Sequence, residues 1–366
     1  MAIDATGLTV LPGLIDCHVH VIGSGVDVVK MANEPFSYQF YAAERNLKRT
    51  LDTGVTTVRD ASGADLGMKV AVDDGTIDGA ALFISVSLLS QTGGHGDGWN
   101  VHGDIHRLTV PHPGRPDGVV DGPDQLRQRV RELVRAGADV IKICTSGGVL
   151  SPRDDPRHAQ FSREELDVCV AEAAAAGLSV MAHAQGKPGI KNALLAGVRS
   201  IEHGIYLDDE CIDLMLARGA WLVPTLLAPK ALLESVDNGA QIPPNVVAKA
   251  RQVVEIHKAA VARAAAAGVK IAMGTDSGVF EHGRNTDELA LMAETGVKAE
   301  QVLVSATSSA AELLGAKDRL GRVAPGFQAD LTLVSGDPLD FTGYRDRVYY
   351  VVRNGRLARD FSASQV

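Results

Sequence analysis

The 366-residue sequence predicts an α/β fold, a (β/α)8 TIM barrel carrying a small and incomplete appended β-sandwich. Three observations predict it. Short apolar runs rich in Val and Ile alternate with longer segments rich in Ala, Leu, Glu and Arg, the rhythm of repeated βα units. Eight such runs occur, at 14–20, 55–60, 81–88, 139–144, 179–183, 200–203, 220–225 and 270–275, which is enough to close a barrel. No glycine-rich phosphate turn follows the first run, as it usually does in a doubly wound open sheet.

Ahead of the first barrel strand, residues 5–13 read as one further strand ending in a Pro12-Gly13 turn. Segments 124–136, 163–176, 209–218 and 246–267 place apolar residues at helical spacing and run into Gly137, Gly177, Gly219 and Gly268. Glycine there readily takes the left-handed conformation that ends a helix. The connection 90–122 is far longer than the roughly 2–6 residues usual between a strand and its helix, so it is expected to cover the open end of the barrel. Stretches 321–339 and 347–358 are β-rich with no helices between them. The expected division is a sandwich remnant at 1–13, the barrel at 14–320 and a C-terminal sandwich segment at 321–366. With so short a lead into the barrel, 330–334 and 348–352 are expected to be apolar edge strands, which partner subunits of a homo-oligomer would cover.

Hydrophobic residues at 45% and charged residues at 22% are ordinary for a globular chain, and one principal domain is expected. A net charge of -9 leaves no basic stripe to neutralise phosphates, which argues against a nucleic-acid partner. Cys17, Cys144, Cys169 and Cys211 lie far apart with no C-x-x-C pair, so reduced packing thiols and a cytoplasmic location are expected. The N-terminus lacks a basic region followed by a long apolar one, and no stretch approaches the ~18 apolar residues of a membrane span.

The chemistry begins in LIDCHVH. Alternate residues of a strand share a face, so Asp16, His18 and His20 project together at the end of strand one. Imidazole nitrogen is a preferred zinc ligand and a neighbouring carboxylate can orient it, but an H-x-H pair alone is equally met on a solvated edge. Active sites of such barrels sit at the C-terminal strand ends, which favours the metal. Lys142 lies in the otherwise apolar ADVIKICTSGG, where a bare ammonium is expensive to bury. It is neutral, paired with an acid, or converted by carbon dioxide to a carbamate, whose two oxygens suit a bridge between cations. His183, His203 and Asp276 end three further strands. Six ligand-type residues at the ends of five strands are hard to explain as separate structural accidents.

PGLIDCHVH, VIKICTSGG, MAHAQG, SIEHG, GTDSG and GRVAPGFQADLTLV resemble the amidohydrolase superfamily over essentially the whole chain. SLLSQTGGHGDGWN and KICTSGGVLS resemble its prolidase-like group of dipeptidases and carboxypeptidases, which includes Xaa-Arg (Lys) dipeptidases. The resemblance implies a binuclear hydrolase cleaving dipeptides or N-acyl amino acids. His18, His20 and Asp276 would hold one ion and His183 and His203 the other, with carboxylated Lys142 and a hydroxide between them. Zinc is expected from the donor types, although manganese and iron share them. Deaminase members carry a glutamate three residues after the fifth-strand histidine, where this chain has Gly186. The alternatives are a hydrolase of cyclic amides, lactones or xenobiotic amides with the same site, and an inactive binding or assembly protein on the same barrel.

Asp276 is the candidate proton carrier. His95, flanked by glycines in GGHGD, is the candidate donor to the scissile carbonyl or its oxyanion. His102, His106 and His112 read as loop-anchoring residues. Tyr206 resembles a tyrosine that meets the substrate carbonyl, and Arg153, His158 and Arg284 could pair with a substrate carboxylate.

Overall fold

A computed structural model describes residues 3–25, 27, 33–100, 103, 105, 107, 109–151 and 153–362; His102 and His106 lie outside the described residues. Strand β1 (Leu8–Pro12) leads through Gly13 into β2 (Leu14–Val19), which pairs in parallel with β3 (Val55–Asp60) and through it with β4 (Ala81–Ile84). A second parallel set follows in sequence order: β5 (Leu88–Leu89), β6 (Ile141–Cys144), β7 (Val180–Ala184), β8 (Ser200–His203), β9 (Trp221–Val223) and β10 (Lys270–Ile271).

Two seams join these sets into a barrel. At the first, the run 81–89 gives its β4 half to β3 and its β5 half to β6, and Asp139 N–H donates to the Ile84 carbonyl at 2.7 Å. At the second, the chain beyond β10 stays beside β2: Cys17 N–H donates to the Met273 carbonyl and Asp276 N–H to the His18 carbonyl, both at 2.8 Å. Regular pairing stops early there because the two segments close tightly. A Cβ on Gly274 would fall 2.3 Å from Val223 Cγ1 and 3.0 Å from His18 Cβ, so only glycine lets the H-x-H strand approach. The last two staves are accordingly shorter than the runs 220–225 and 270–275 expected for them.

The helices Pro123–Arg135, Arg163–Ala175, Asp209–Arg218 and Pro244–Ala267 fall where the apolar spacing placed them. Ser162 starts the second with a capping box, accepting from Glu165 N–H while the Glu165 carboxylate accepts from Ser162 N–H. Apolar helix faces pack on the strands; Leu126 and Leu133 of Pro123–Arg135, Leu47 and Leu51 of the helix Tyr38–Leu51 and Leu14 of β2 have no exposed surface, worth about 1.5–3 kcal/mol each. This packing fixes the strand ends on which the candidate ligands ride.

The appended element is a four-stranded antiparallel sheet in the order β1, β11 (Leu331–Ser335), β12 (Val348–Arg353), β13 (Arg356–Asp360). The expectation that 330–334 and 348–352 form exposed edges is corrected: β11 and β12 are the two central strands, and β1 and β13 are the edges. Leu333, Val334, Val348 and Val351 are buried. Gly13 N–H donates to the Asp330 carbonyl at 2.7 Å and the Thr332 hydroxyl to the Gly54 carbonyl at 2.7 Å, so the sheet braces the start of β2. All four cysteines are buried and unpaired, and among the described residues no helix is long and apolar enough to cross a membrane.

Candidate metal centre

His18, His20, Lys142, His183, His203 and Asp276 all line one cavity of about 520 Å³ at the C-terminal ends of the strands. Asp276 Oδ1 lies 3.1 Å from His20 Nε2 and 3.4 Å from His18 Nε2. Lys142 Nζ is 3.5 Å from the same His18 nitrogen. The His203 ring centroid is 5.1 Å from that of His18 and 4.7 Å from that of His183, so the second pair of histidines adjoins the first.

The partners of the outward ring nitrogens fix which nitrogen is free to bind. Glu202 Oε2 faces His18 Nδ1 at 2.7 Å, the Ser62 carbonyl faces His20 Nδ1 at 3.2 Å, and the Gly147 carbonyl faces His183 Nε2 at 3.0 Å. Each partner can only accept, so each of these nitrogens carries the proton and the opposite one keeps its lone pair. His203 is held through Nδ1 by the Thr225 hydroxyl at 2.7 Å. Burial drives His183 and His203 well below the usual histidine range, keeping them neutral as ligands must be.

Asp276 Oδ1 is buried and makes no hydrogen bond among the described residues, although two imidazole nitrogens face it. A lone carboxylate oxygen between nitrogen lone pairs is the donor set a divalent cation satisfies, so the residues present fit a metal. Backbone strain marks the same places: His203 at φ 71°, Asp276 at φ 64° and Thr225 at φ 57° are non-glycine residues in the left-handed region. Such conformations cost about 1–3 kcal/mol each and persist where the surroundings demand them.

Residues 9–358 match the amidohydrolase family. The chain belongs to that family. Ochratoxinase of Aspergillus niger is 36% identical over 345 residues, covering 90% of this chain and 71% of that protein. Among solved structures, a prolidase complexed with N-methylphosphonate-L-proline superposes with a TM-score of 0.89 at 38% identity, covering 98% of this chain and 89% of that one. A Xaa-Pro dipeptidase with bound methionine gives 0.86 at 36% identity, covering 96% and 87%. This chain is a prolidase-like, metal-dependent amidohydrolase, and its family generally uses divalent metals.

Behind the candidate ligands, the amidohydrolase carries a buried ion pair that the sequence motifs do not announce. Arg59 Nη2 lies 3.0 Å from Glu202 Oε1 and 3.1 Å from Oε2, and its Nε donates to the Cys17 carbonyl at 2.6 Å. Burial works against the Glu202 carboxylate, but Arg59 and then His18 prevail and bring it down to about 2. The carboxylate expected from Asp16 has a different task. It accepts from the Thr275 hydroxyl at 2.7 Å and Asn285 Nδ2 at 2.8 Å, tying β2 to the segment that presents Asp276. Burial pushes Asp16 up to about 6 against those hydrogen bonds.

The long connection 90–122 does reach the cavity, bringing His95, Trp99 and Thr109 to its wall. The His95 ring stacks on His183 at 4.1 Å and 17°. Ser151, His95 and Asp154 are the residue types of a nucleophilic triad, but hydroxyl and carboxylate both face His95 Nδ1, at 2.7 and 3.6 Å, so the ring cannot pass a proton between them. Arg153 lines the cavity with its guanidinium 4.7 Å from the Trp99 ring, and among the described residues it has no acidic partner. Arg284 instead pairs with Glu234 at 2.8 Å and Asp287 at 2.9 Å. Neither Arg284 nor exposed His158 belongs to the cavity wall. Tyr206 packs beside the wall against the cluster of Val149, Ile205 and Leu232. His112 anchors its loop, 3.5 Å from Asp65 and edge-on to Phe36 and Phe40.

Proposed function

We propose that this amidohydrolase cleaves the amide bond of dipeptides or N-acyl amino acids at a two-metal centre. The observation that carries it is the set of ring nitrogens left free toward the buried, unsatisfied Asp276 Oδ1 beside Lys142 in one cavity. His18, His20 and Asp276 would hold one ion and His183 and His203 the other. Two divalent ions, zinc by donor type, would lower the pKa of a water toward neutrality and polarise the carbonyl. Burial lowers the Lys142 pKa, favouring the neutral amine that adds carbon dioxide, forms an N–C bond and releases one proton. A carbamate so formed would supply a negative ligand to the ions.

Asp276 accepts the proton of the attacking water and returns it to the amine as the C–N bond breaks. His95 donates a hydrogen bond to the carbonyl oxygen as charge develops on it. Tyr206, packed beside the wall with Val149, Ile205 and Leu232, would support that oxygen. Arg153, braced on Trp99 and without an acid of its own among the described residues, pairs with the substrate carboxylate. The natural setting for such a substrate is a small molecule reaching a cytoplasmic enzyme.

A second reading has an observation in its favour. A cavity of about 520 Å³ walled by Val149, Leu150, Ile205, Leu232 and Val279 exceeds what a small dipeptide fills, and ochratoxinase is a relative, so a bulky xenobiotic amide is the other substrate class. The test is a screen of zinc-loaded protein against dipeptides, small N-acyl amino acids and N-aroyl amino acids, read by release of the free amine. Release from the first two groups supports the main reading, release from the bulky aroyl group alone supports the second, and none at verified full metal occupancy overturns both.

A further inference from the structure

Lys249 stands on the helix Pro244–Ala267, away from the metal ligands, with its side chain 17% exposed. Its ammonium donates to three backbone carbonyls of one loop: Gly148 at 2.7 Å, Ser151 at 2.5 Å and Asp154 at 3.1 Å. An ammonium has three protons, so this loop takes all of them. The Asp154 carboxylate lies 3.8 Å away, closer to the loop's own groups. Its Oδ2 accepts from Gly148 N–H at 3.1 Å and Gln160 Nε2 at 3.3 Å, and its Oδ1 accepts the Ser151 hydroxyl proton.

The loop closed in this way meets His95 from three sides. Because the Ser151 proton is committed to Asp154, Ser151 Oγ is the acceptor for His95 Nδ1–H at 2.7 Å. Gln160 Oε1 accepts from His95 N–H at 3.0 Å. Gly148 lies flat against the ring: a Cβ there would sit 2.1 Å from His95 Cε1. These contacts set the ring plane and the tautomer, and Nε2 makes no hydrogen bond among the described residues.

We propose that Lys249 is a positioning residue for His95: by gathering the carbonyls of residues 148, 151 and 154 it keeps Ser151 and Asp154 locked on Nδ1. The consequence for turnover rests on the function proposed above, whereas the consequence for the loop does not. The experiment uses the full-length, zinc-loaded chain with Lys249→Met. Hydrogen exchange is followed over 147–154 and 91–97, histidine nitrogen NMR reads the His95 tautomer, and kcat and KM are measured on an amide from the screen. Expected are unchanged zinc content and at least a tenfold faster exchange in both segments. The Nδ1–H signature of His95 is lost. The fall in kcat approaches the ~10²-fold typical of losing one oxyanion donor. In a His95→Ala background, Lys249→Met lowers kcat no further, and aminoethylation of Lys249→Cys restores exchange protection. Unchanged exchange and tautomer overturn the proposal even if no substrate is found, as do fully additive losses in the double variant. If Lys249→Met fails to fold, Lys249→Gln, which keeps part of the donor set, gives the same readouts at intermediate size.

Discussion

Replacing Glu202 by glutamine keeps its shape and removes its charge at the point where the candidate metal centre is tied to the barrel interior. Glu202 has no exposed surface and Arg59 is 2% exposed. With charge centres roughly 3.5 Å apart and an effective dielectric of about 20, their attraction is about 5 kcal/mol. Desolvation of both ions offsets most of that gain, but Glu202→Gln leaves Arg59 buried without its counter-charge, at a cost of about 3–5 kcal/mol. For an m-value near 3 kcal/mol/M, the urea midpoint of the metal-free protein then falls by about 1–1.7 M. His18 Nδ1 loses its charged acceptor in the same stroke, which should weaken zinc binding about 10–100-fold in a chelator competition. Replacing both partners, as Arg59→Met with Glu202→Leu, should be milder for stability than the single change, since no charge is stranded. A Glu202→Gln protein that unfolds at the wild-type urea concentration and binds zinc equally would refute the reasoning.

Gly148→Ala requires no left-handed backbone but drives a Cβ to 2.1 Å from His95 Cε1, so the ring must leave its stack on His183. Zinc content should stay at wild type while kcat drops about as far as in His95→Ala; wild-type kcat would contradict it. Thr225→Val preserves the β-branched shape and removes the hydroxyl from His203 Nδ1, for an expected 10–100-fold loss of zinc affinity by the same competition assay, whereas unaltered affinity argues against the contact. Glu288 is fully buried, accepting from Leu226 N–H at 2.8 Å and Leu227 N–H at 2.7 Å with Asp16 and Asp276 nearby, and burial pushes its pKa well above the usual value. A raised carboxyl pKa contributes stability below the unfolded value that is lost as pH rises through the folded one. The metal-free protein should therefore weaken as pH climbs above the usual carboxylate range, and Glu288→Gln should flatten that slope in urea titrations; an identical slope removes Glu288 from the explanation.

The candidate ligands were legible because each breaks a local rule. A histidine pair at period two, an ammonium inside a Val/Ile strand and an aspartate at a strand end all contradict the apolar pattern around them. Glu202 escaped notice because it adjoins His203, and in a regular strand neighbours face opposite sides. The positive φ of His203 breaks that alternation: Glu202 points at His18 inside the barrel while His203 turns into the cavity. Histidine is enriched among the few non-glycine residues at positive φ, but its identity does not single out which histidine adopts it. Partnerships across the chain were equally hidden. Lys249 and Asp154 are 95 positions apart, and Arg284 resembled a free cation until Glu234, 50 positions away, was seen beside it. The edge-strand expectation failed for a related reason, since only tertiary pairing shows β1 and β13 flanking β11 and β12.

The most direct measurement of the proposed two-metal centre is anomalous diffraction at the zinc edge from crystals grown with zinc and bicarbonate. Two peaks per chain are expected, one among His18, His20 and Asp276 and one at His183 and His203, with carbamate density extending from Lys142. A single peak, or zinc bound elsewhere with these six side chains bare, would contradict it.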